Sequence, residues 1–560
     1  MKKVAVLFCI CALFVGVLAA CGNGGTAEGG IDGIETFTVL ALGGLSYDRA
    51  DMDCPIGQRL SEITGVRLVY EFPVGDWTEK LALVIASGDY PDIIAHEGTS
   101  MSQLVEVGAL VPLRERIENT TYLSALLGDQ IGRLAFSIDD PEFYGFGGTT
   151  VISEPRPDAY WGVSFAVQFS ALEYAGYPMI TTLQDFEDVI ANYIASNPEI
   201  NGQPALGLSL VAADGWRWKI SVTNPSFLAS GLPDDGEWFI NPETFQATSH
   251  YRNPEAREYF RWLNHMNNIG LLDPESFTQS YDAYQAKVSS GRVIGLIDAL
   301  WQYDIARLQA ISQFGYNRDY MGFPVLLDPE NTIWSSARSS GFVNAGGYSI
   351  TTAATNVDRI VDFFDFIASE EGMILRGWGI EDEHYTIEDG IMVRKPWVVE
   401  QRADMVTALE FRRETGIGKF AGWAMFTPGF GFTLSNGQLL DDFCDQESFD
   451  NNHPAALDAL NAYGIRGFNM LFPPSSAIPS SPWGAAWTLP IGQSEETRVI
   501  VQLAEDATLR NVARAVLADP VDFDTEWDNF MAELDAINVQ LVEEEVTALV
   551  YERMRMWGYR

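Results

Sequence analysis

The sequence predicts an α/β protein with more than one core. Strand-like and helix-like stretches alternate between Thr36 and Ala95, and the alternation recurs between Thr182 and Ile297. The 560 residues exceed what a single core organises.

Phe37, Val39 and Ala41 alternate with Thr38, Leu40 and Leu42, which is the period of a strand. Val66 to Phe72 reads as a second strand, rich in β-branched and aromatic residues. Asp76-x-x-Glu79 opens a helix whose Leu81, Val84 and Ile85 share one face. Gly88 fits its end, Pro91 blocks continuation, and Asp92–Ala95 is a short buried strand. Strands separated by helices imply a parallel sheet with helices on its faces. Thr182-x-x-Asp185 starts another helix, and Leu206–Val211 and Val293–Ile297 are strands. Asn253-Pro254 and Asn356 cap helices of clear amphipathic period. Thr525-x-x-Asp528 leads into a helical tail, where Trp527 falls on the apolar face as Trp262 does upstream. Residues 416–493, rich in Gly, Pro, Ser and aromatics, read as long loops over a scaffold. No internal repeat of fixed period is present.

The amino terminus carries an address. Lys2 and Lys3 precede an apolar run from Val4 to Ala20, and Cys21 follows Leu18-Ala19-Ala20. This resembles the lipobox of bacterial lipoproteins, implying cleavage before Cys21 and lipid on that residue. A transmembrane anchor or an ordinary secretory signal are the other readings of the run. Residues 1–20 are then a signal peptide and 21–35 a Gly-rich flexible tether. Of five cysteines, Cys54 and Cys444 remain for the exported body. Export permits a disulfide between them, but two free thiols are the expectation. The net charge of −42 opposes nucleic-acid and polyanion binding without selecting a function.

Trp77–Ile94, Gly108-Ala109-Leu110-Val111-Pro112-Leu113, Gly270-Leu271-Leu272-Asp273-Pro274-Glu275-Ser276-Phe277 and Gly377-Trp378-Gly379-Ile380-Glu381 together resemble motifs of extracellular solute-binding lipoproteins of ABC importers. The branch they resemble is the Gram-positive one linked to oligosaccharide and polysaccharide uptake. The resemblance implies a periplasmic-binding-protein-like type II fold: two α/β lobes around a ligand cleft, with a helical C-terminal tail. Residues 36–158 plus 346–470 would form the N-terminal lobe, and 159–345 plus 471–560 the C-terminal lobe and tail. Gly346-Gly347-Tyr348-Ser349 resembles a hinge crossing. The resemblance also implies a membrane permease as partner, a monomer, and the outer face of the cell membrane as location. Many members of that branch carry a calcium loop. Here the equivalent stretch, Asn197 to Leu206, lacks the later carboxylates, so neither metal nor other cofactor is expected.

A sugar offers apolar C–H faces and hydroxyl edges, so its site needs flat aromatics and fixed carboxylates or amides. Residues placed after strands or near the crossings qualify: Trp77, Glu97, Trp161, Trp216, Asp298, Trp301, Trp334, Tyr348 and Trp378. For most of them a place in the core or in a solvated loop is the competing reading. The function expected is capture of a carbohydrate, without catalysis. A surface-anchored carbohydrate-active enzyme and a ligand-sensing lipoprotein are the alternatives. No His-Glu-x-x-His, Gly-x-Ser-x-Gly or P-loop motif supports the first of these.

Overall fold

The computed structural model describes residues 33–42, 51–74, 77–97, 100–146, 163–213, 217–328, 330, 346–402, 405–418, 432–438, 440, 452–472 and 481–559. Two four-stranded sheets organise them. Their strands are β1 (Glu35–Ala41), β2 (Val66–Glu71), β3 (Ile93–Glu97), β4 (Val163–Gln168), β5 (Leu206–Leu208), β6 (Val293–Ala299), β7 (Tyr320–Phe323) and β8 (Gly346–Ile350). The first sheet has the order β8-β3-β1-β2 and the second β7-β4-β6-β5.

The sheets are mixed, which corrects the expectation of parallel ones. β2, β1 and β3 are parallel, as the βαβ pattern requires, and so are β5 and β6. β8 runs against β3, with Gly346 opposite Glu97, and β4 runs against β6, with Val163 opposite Ala299. The cause is connectivity. β8 and β4 are the first strands after the chain has passed from one sheet to the other. They begin at the edge where the parallel strands end. Gly346–Ser349, where the hinge crossing is expected, forms a hydrogen-bonded strand against Ile94–Glu97.

Both faces of the first sheet are buried. Phe37, Val39, Ile93 and Ala95 face a core that includes Ile360, Phe364 and Phe411, whereas Leu40 and Ile94 pack with Leu81, Val84 and Leu104. This two-sided burial is what helices on both faces of a parallel sheet impose. The helix Leu183–Ser196 opens on the expected capping box of Thr182 and Asp185, and Asn356 caps Val357–Ala368. β5 stops at Leu208, short of the expected Val211. Beyond it the backbone is taken by other partners: Leu210 N–H donates to Ser276 Oγ and Val211 N–H to Ser221 Oγ. Asp273 is buried there, accepting from Ser209 Oγ and Lys287 Nζ at 2.7 Å each.

The second core gathers β4 and β6 with the C-terminal helices Glu495–Leu517, Phe523–Ala536 and Gln540–Met556. Trp527 is fully inside this core and Trp262 packs against the core's edge, as their helical positions indicated. The loop-rich reading of 416–493 needs correction at Pro454–Tyr463, a helix capped by His453, whose Nδ1 accepts from Ala456 N–H at 3.1 Å. Its Ala456 and Ala459 lie in the second core, so this segment does not sit with the first lobe, where the boundary at 470 had put it. The final helix belongs to the second core through Val542, Val546, Val550 and Met554, yet Trp557 packs against the first. There the Arg133 guanidinium lies 4.8 Å from the Trp557 ring centroid and 5.9 Å from that of Tyr559.

Cys54 is buried at the start of the helix Pro55–Thr64, its sulfur against Gly416, and Cys444 lies outside the described residues. Glu199–Ile200 and Gln203–Pro204 pair across a turn in which Asn201 and Gly202 have φ of 52° and 75°. These positive values suit a two-residue hairpin turn and explain Asn-Gly at this point. Among the described residues no helix is long and apolar enough to cross a membrane.

Candidate ligand-binding face

In open α/β sheets ligands bind beyond the carboxyl ends of parallel strands, where helix amino termini and loops meet. β1, β2 and β3 end at one edge of the first sheet, and β5 and β6 at one edge of the second. The chain leaves the first sheet after Phe146, bridged to Tyr348, and enters the second at Val163, opposite Ala299. It is thus the two carboxyl edges that the connecting chain joins.

Two of the expected residues stand at these edges with surface to offer. Trp77 is the first residue of the helix Trp77–Ser87 that follows β2, half-buried against Leu81 and Val84. Trp301 is the second residue of the helix Leu300–Phe314 that follows β6, and 41% of it is exposed. Glu97 ends β3 and pairs with Gly346, whereas Tyr348 lies opposite Ala95; the Glu97 side chain lies outside the description. Trp161, Trp216 and Trp334 lie outside the described residues.

Three expected residues are enclosed by the protein itself. Asp298 is fully buried at the end of β6. It accepts from Ser221 Oγ (2.8 Å), Tyr284 OH (2.8 Å), Gln302 Nε2 (2.7 Å) and Ala299 N–H (2.8 Å). Burial raises its pKa, and these donors pull it back part of the way. Tyr348 is buried with its hydroxyl 3.0 Å from that of Tyr70, and burial pushes its pKa well up. Trp378 sits in a separate cluster with Tyr385, Met392 and Leu434, the Arg394 guanidinium 4.0 Å from its ring centroid.

The structure adds a charged group not expected from sequence. Lys219 begins the helical segment after β5, its Nζ 3.1 Å from Glu237 and 2.5 Å from Glu505. Burial alone would lower the Lys219 pKa, but the two carboxylates hold it above its ordinary value. Burial raises that of Glu237 against the pull of the lysine. Both acids keep part of their surface, so their oxygens can accept from a neutral polyol. Lys219 follows a predicted strand, but Glu237 and Glu505 reach it from remote parts of the chain, so no local signal marked the cluster.

Among the described residues no group of three or more His, Cys, Asp or Glu is arranged to hold a metal ion. The face offers aromatic surface, carboxylate acceptors and a cation pinned between two acids.

Residues 55–374, more than half of the chain, match the family of bacterial extracellular solute-binding proteins, and the chain belongs to that family. It is 22% identical over 387 residues to the fructooligosaccharide ABC transporter substrate-binding protein FusA of Streptococcus pneumoniae serotype 4, covering 65% of this chain and 68% of FusA. The fold is shared with solved structures. The alginate-binding protein AlgQ2 without calcium ion superposes with a TM-score of 0.60 at 15% identity, over 93% of this chain and 99% of that one. The N-glycan transport solute-binding protein NgtS of Streptococcus pneumoniae, in complex with Man1GlcNAc, gives 0.53 at 14% identity, over 94% and 100%.

Proposed function

We propose that this protein captures a carbohydrate, an oligosaccharide rather than a single sugar, between two α/β lobes and delivers it to an ABC permease. It does so as a monomer tethered by lipid on Cys21 to the outer face of the cell membrane. The observation that carries this is Trp301, a partly exposed indole set at the carboxyl end of β6. FusA and NgtS, named for the carbohydrates they carry, support the ligand class. Trp77 and Trp301 form the described part of the contact set, and Glu97, Trp161, Trp216 and Trp334 complete it. Asp298, Tyr348 and Trp378 act from behind, as supports of the strand ends and of the hairpin at 385–394. The strong negative charge favours a neutral ligand over a polyanionic one. The protein binds and releases without making or breaking bonds.

Isothermal titration of the mature protein against a glycan panel, alongside peptides, tests the reading. Binding of a neutral oligosaccharide without release of new reducing ends supports it. Tight binding of peptides with no response to any glycan overturns the ligand class, and turnover overturns the non-catalytic role.

A further inference from the structure

Trp487 lies outside every motif considered so far. It sits in a short helical turn, Ala486–Thr488, within the aromatic-rich stretch of the sequence. Its indole is 40% exposed although its backbone is held on both sides. Ala486 N–H donates to the buried Asp235 carboxylate at 2.9 Å, and Trp483 Nε1 donates to the same group at 3.2 Å. Arg553 of the final helix donates to Ala485 O (3.0 Å), Thr488 Oγ1 (2.6 Å) and Thr488 O (3.0 Å). Gly236 lies so close that a Cβ there would fall 2.9 Å from the Trp487 Cβ. A large apolar ring left in water is unfavourable, and the same clamp that seats Trp483, Ala486 and Leu489 in the second core holds this ring outside it. The arrangement preorganises a flat apolar surface.

Contacts link this surface to the binding face. Ser221 Oγ receives Val211 N–H (3.2 Å) and donates to Asp298 (2.8 Å), which anchors the helical segment on the carboxyl ends of β5 and β6. Lys219 lies two residues earlier and reaches Glu237 at 3.1 Å. Glu237 adjoins Gly236, which touches Trp487. A chain of contacts therefore runs from the strand ends to the indole, with the carboxylates of Glu237 and Glu505 held on it by Lys219. Aromatic platforms beside fixed carboxylates suit a sugar ring and its hydroxyl edge. Several contacts separate Trp487 from the strand ends.

We propose that Trp487 is the platform of an outer carbohydrate subsite, flanked by Glu237 and Glu505, which engages sugar units beyond the one held at the strand ends. The proposal rests on the carbohydrate reading above and adds a length requirement to it.

The test is titration of the full mature protein with neutral gluco- and fructo-oligosaccharide series, from monosaccharide to hexasaccharide. The wild type gains affinity with length. Trp487→Ala leaves the shortest bound sugar unaffected and weakens the longer ones by roughly tenfold or more, the usual effect of truncating a contact tryptophan. Trp487→Phe keeps most of the gain. A length-dependent wild type matched by Trp487→Ala at every length overturns the subsite while leaving the carbohydrate reading intact. Equal weakening at every length also overturns it. If no sugar of either series binds the wild type, this inference falls with the reading beneath it.

Discussion

Replacing Asp298 with alanine separates a support from a ligand contact. The substitution strands the Ser221 and Tyr284 hydroxyls, the Gln302 amide and the Ala299 N–H, all donors that converge on one buried carboxylate. At about 1 kcal/mol for each bond, the loss is about 3–4 kcal/mol. In a unit the size of the second core this lowers the melting temperature by roughly 6–16 °C. Asp298→Asn keeps one acceptor, and the two hydroxyls can turn to accept from its amide, so its loss stays near 1 kcal/mol. The folded pKa of Asp298 is raised, so the ionised form is the disfavoured one in the fold. Its contribution therefore declines as pH climbs from the ordinary carboxylate value of about 3.9 through the raised one. The asparagine variant lacks that decline. Calorimetry across pH, with sugar titration in parallel, reads both effects. An alanine variant that melts with the wild type but no longer binds sugar would refute the supporting role.

Trp301→Ala weakens sugar binding by roughly tenfold or more in titration, while its exposed position keeps the change in unfolding free energy within about 0.5 kcal/mol. Cys21→Ser abolishes fatty-acid incorporation in metabolic labelling and sends the protein into the medium; a labelled, membrane-bound variant would sink the anchor assignment. Arg133→Ala removes the guanidinium stacked near Trp557 and Tyr559, worth about 1 kcal/mol, and is expected to raise the radius of gyration of the ligand-free protein in X-ray scattering. Asp319 is buried, which alone would raise its pKa, but Arg307 and His453 hold it below the ordinary value. Its stabilising share is present at neutral pH and lost as pH falls through that lowered value. Asp319→Asn should thus lower stability at neutral pH and blunt the acid transition seen by circular dichroism.

Local rules carried most of the secondary structure. Thr182 with Asp185, Asn356 and the alternation of Phe37 to Ala41 each act within a few residues, so the chain announces them. The antiparallel course of β4 and β8 depends on which edge the chain enters after crossing between sheets, and no residue nearby encodes that. The helix at 454–463 was hidden by its cap: histidine is a rare choice, although Pro454 and Gly464 frame it. At the site, proximity to a strand end proved a partial guide. It placed Trp77 and Trp301 where they have surface, but also chose Asp298 and Tyr348, which the neighbouring elements close over. Whether a residue faces out is decided by partners such as Tyr284, Ser221 and Tyr70, remote or scattered along the chain. Trp487 had no strand to mark it, and the groups that hold its turn, Asp235 and Arg553, lie far away in sequence.

The second core is closed by the last helix, whose Val546, Val550 and Met554 pack in the same core as β4, which begins at Val163. Contacts of such long span form late, because the intervening loop must be closed before they contribute. While the chain is being made, the second core therefore stays open until the helix Gln540–Met556 has followed. For a chain of an extracellular family, this order of assembly acts as a built-in delay. The strands of the second sheet are all in place by Phe323, before the first sheet gains its last strand at 346, so it is the helical closure of the second core and not its sheet that comes last.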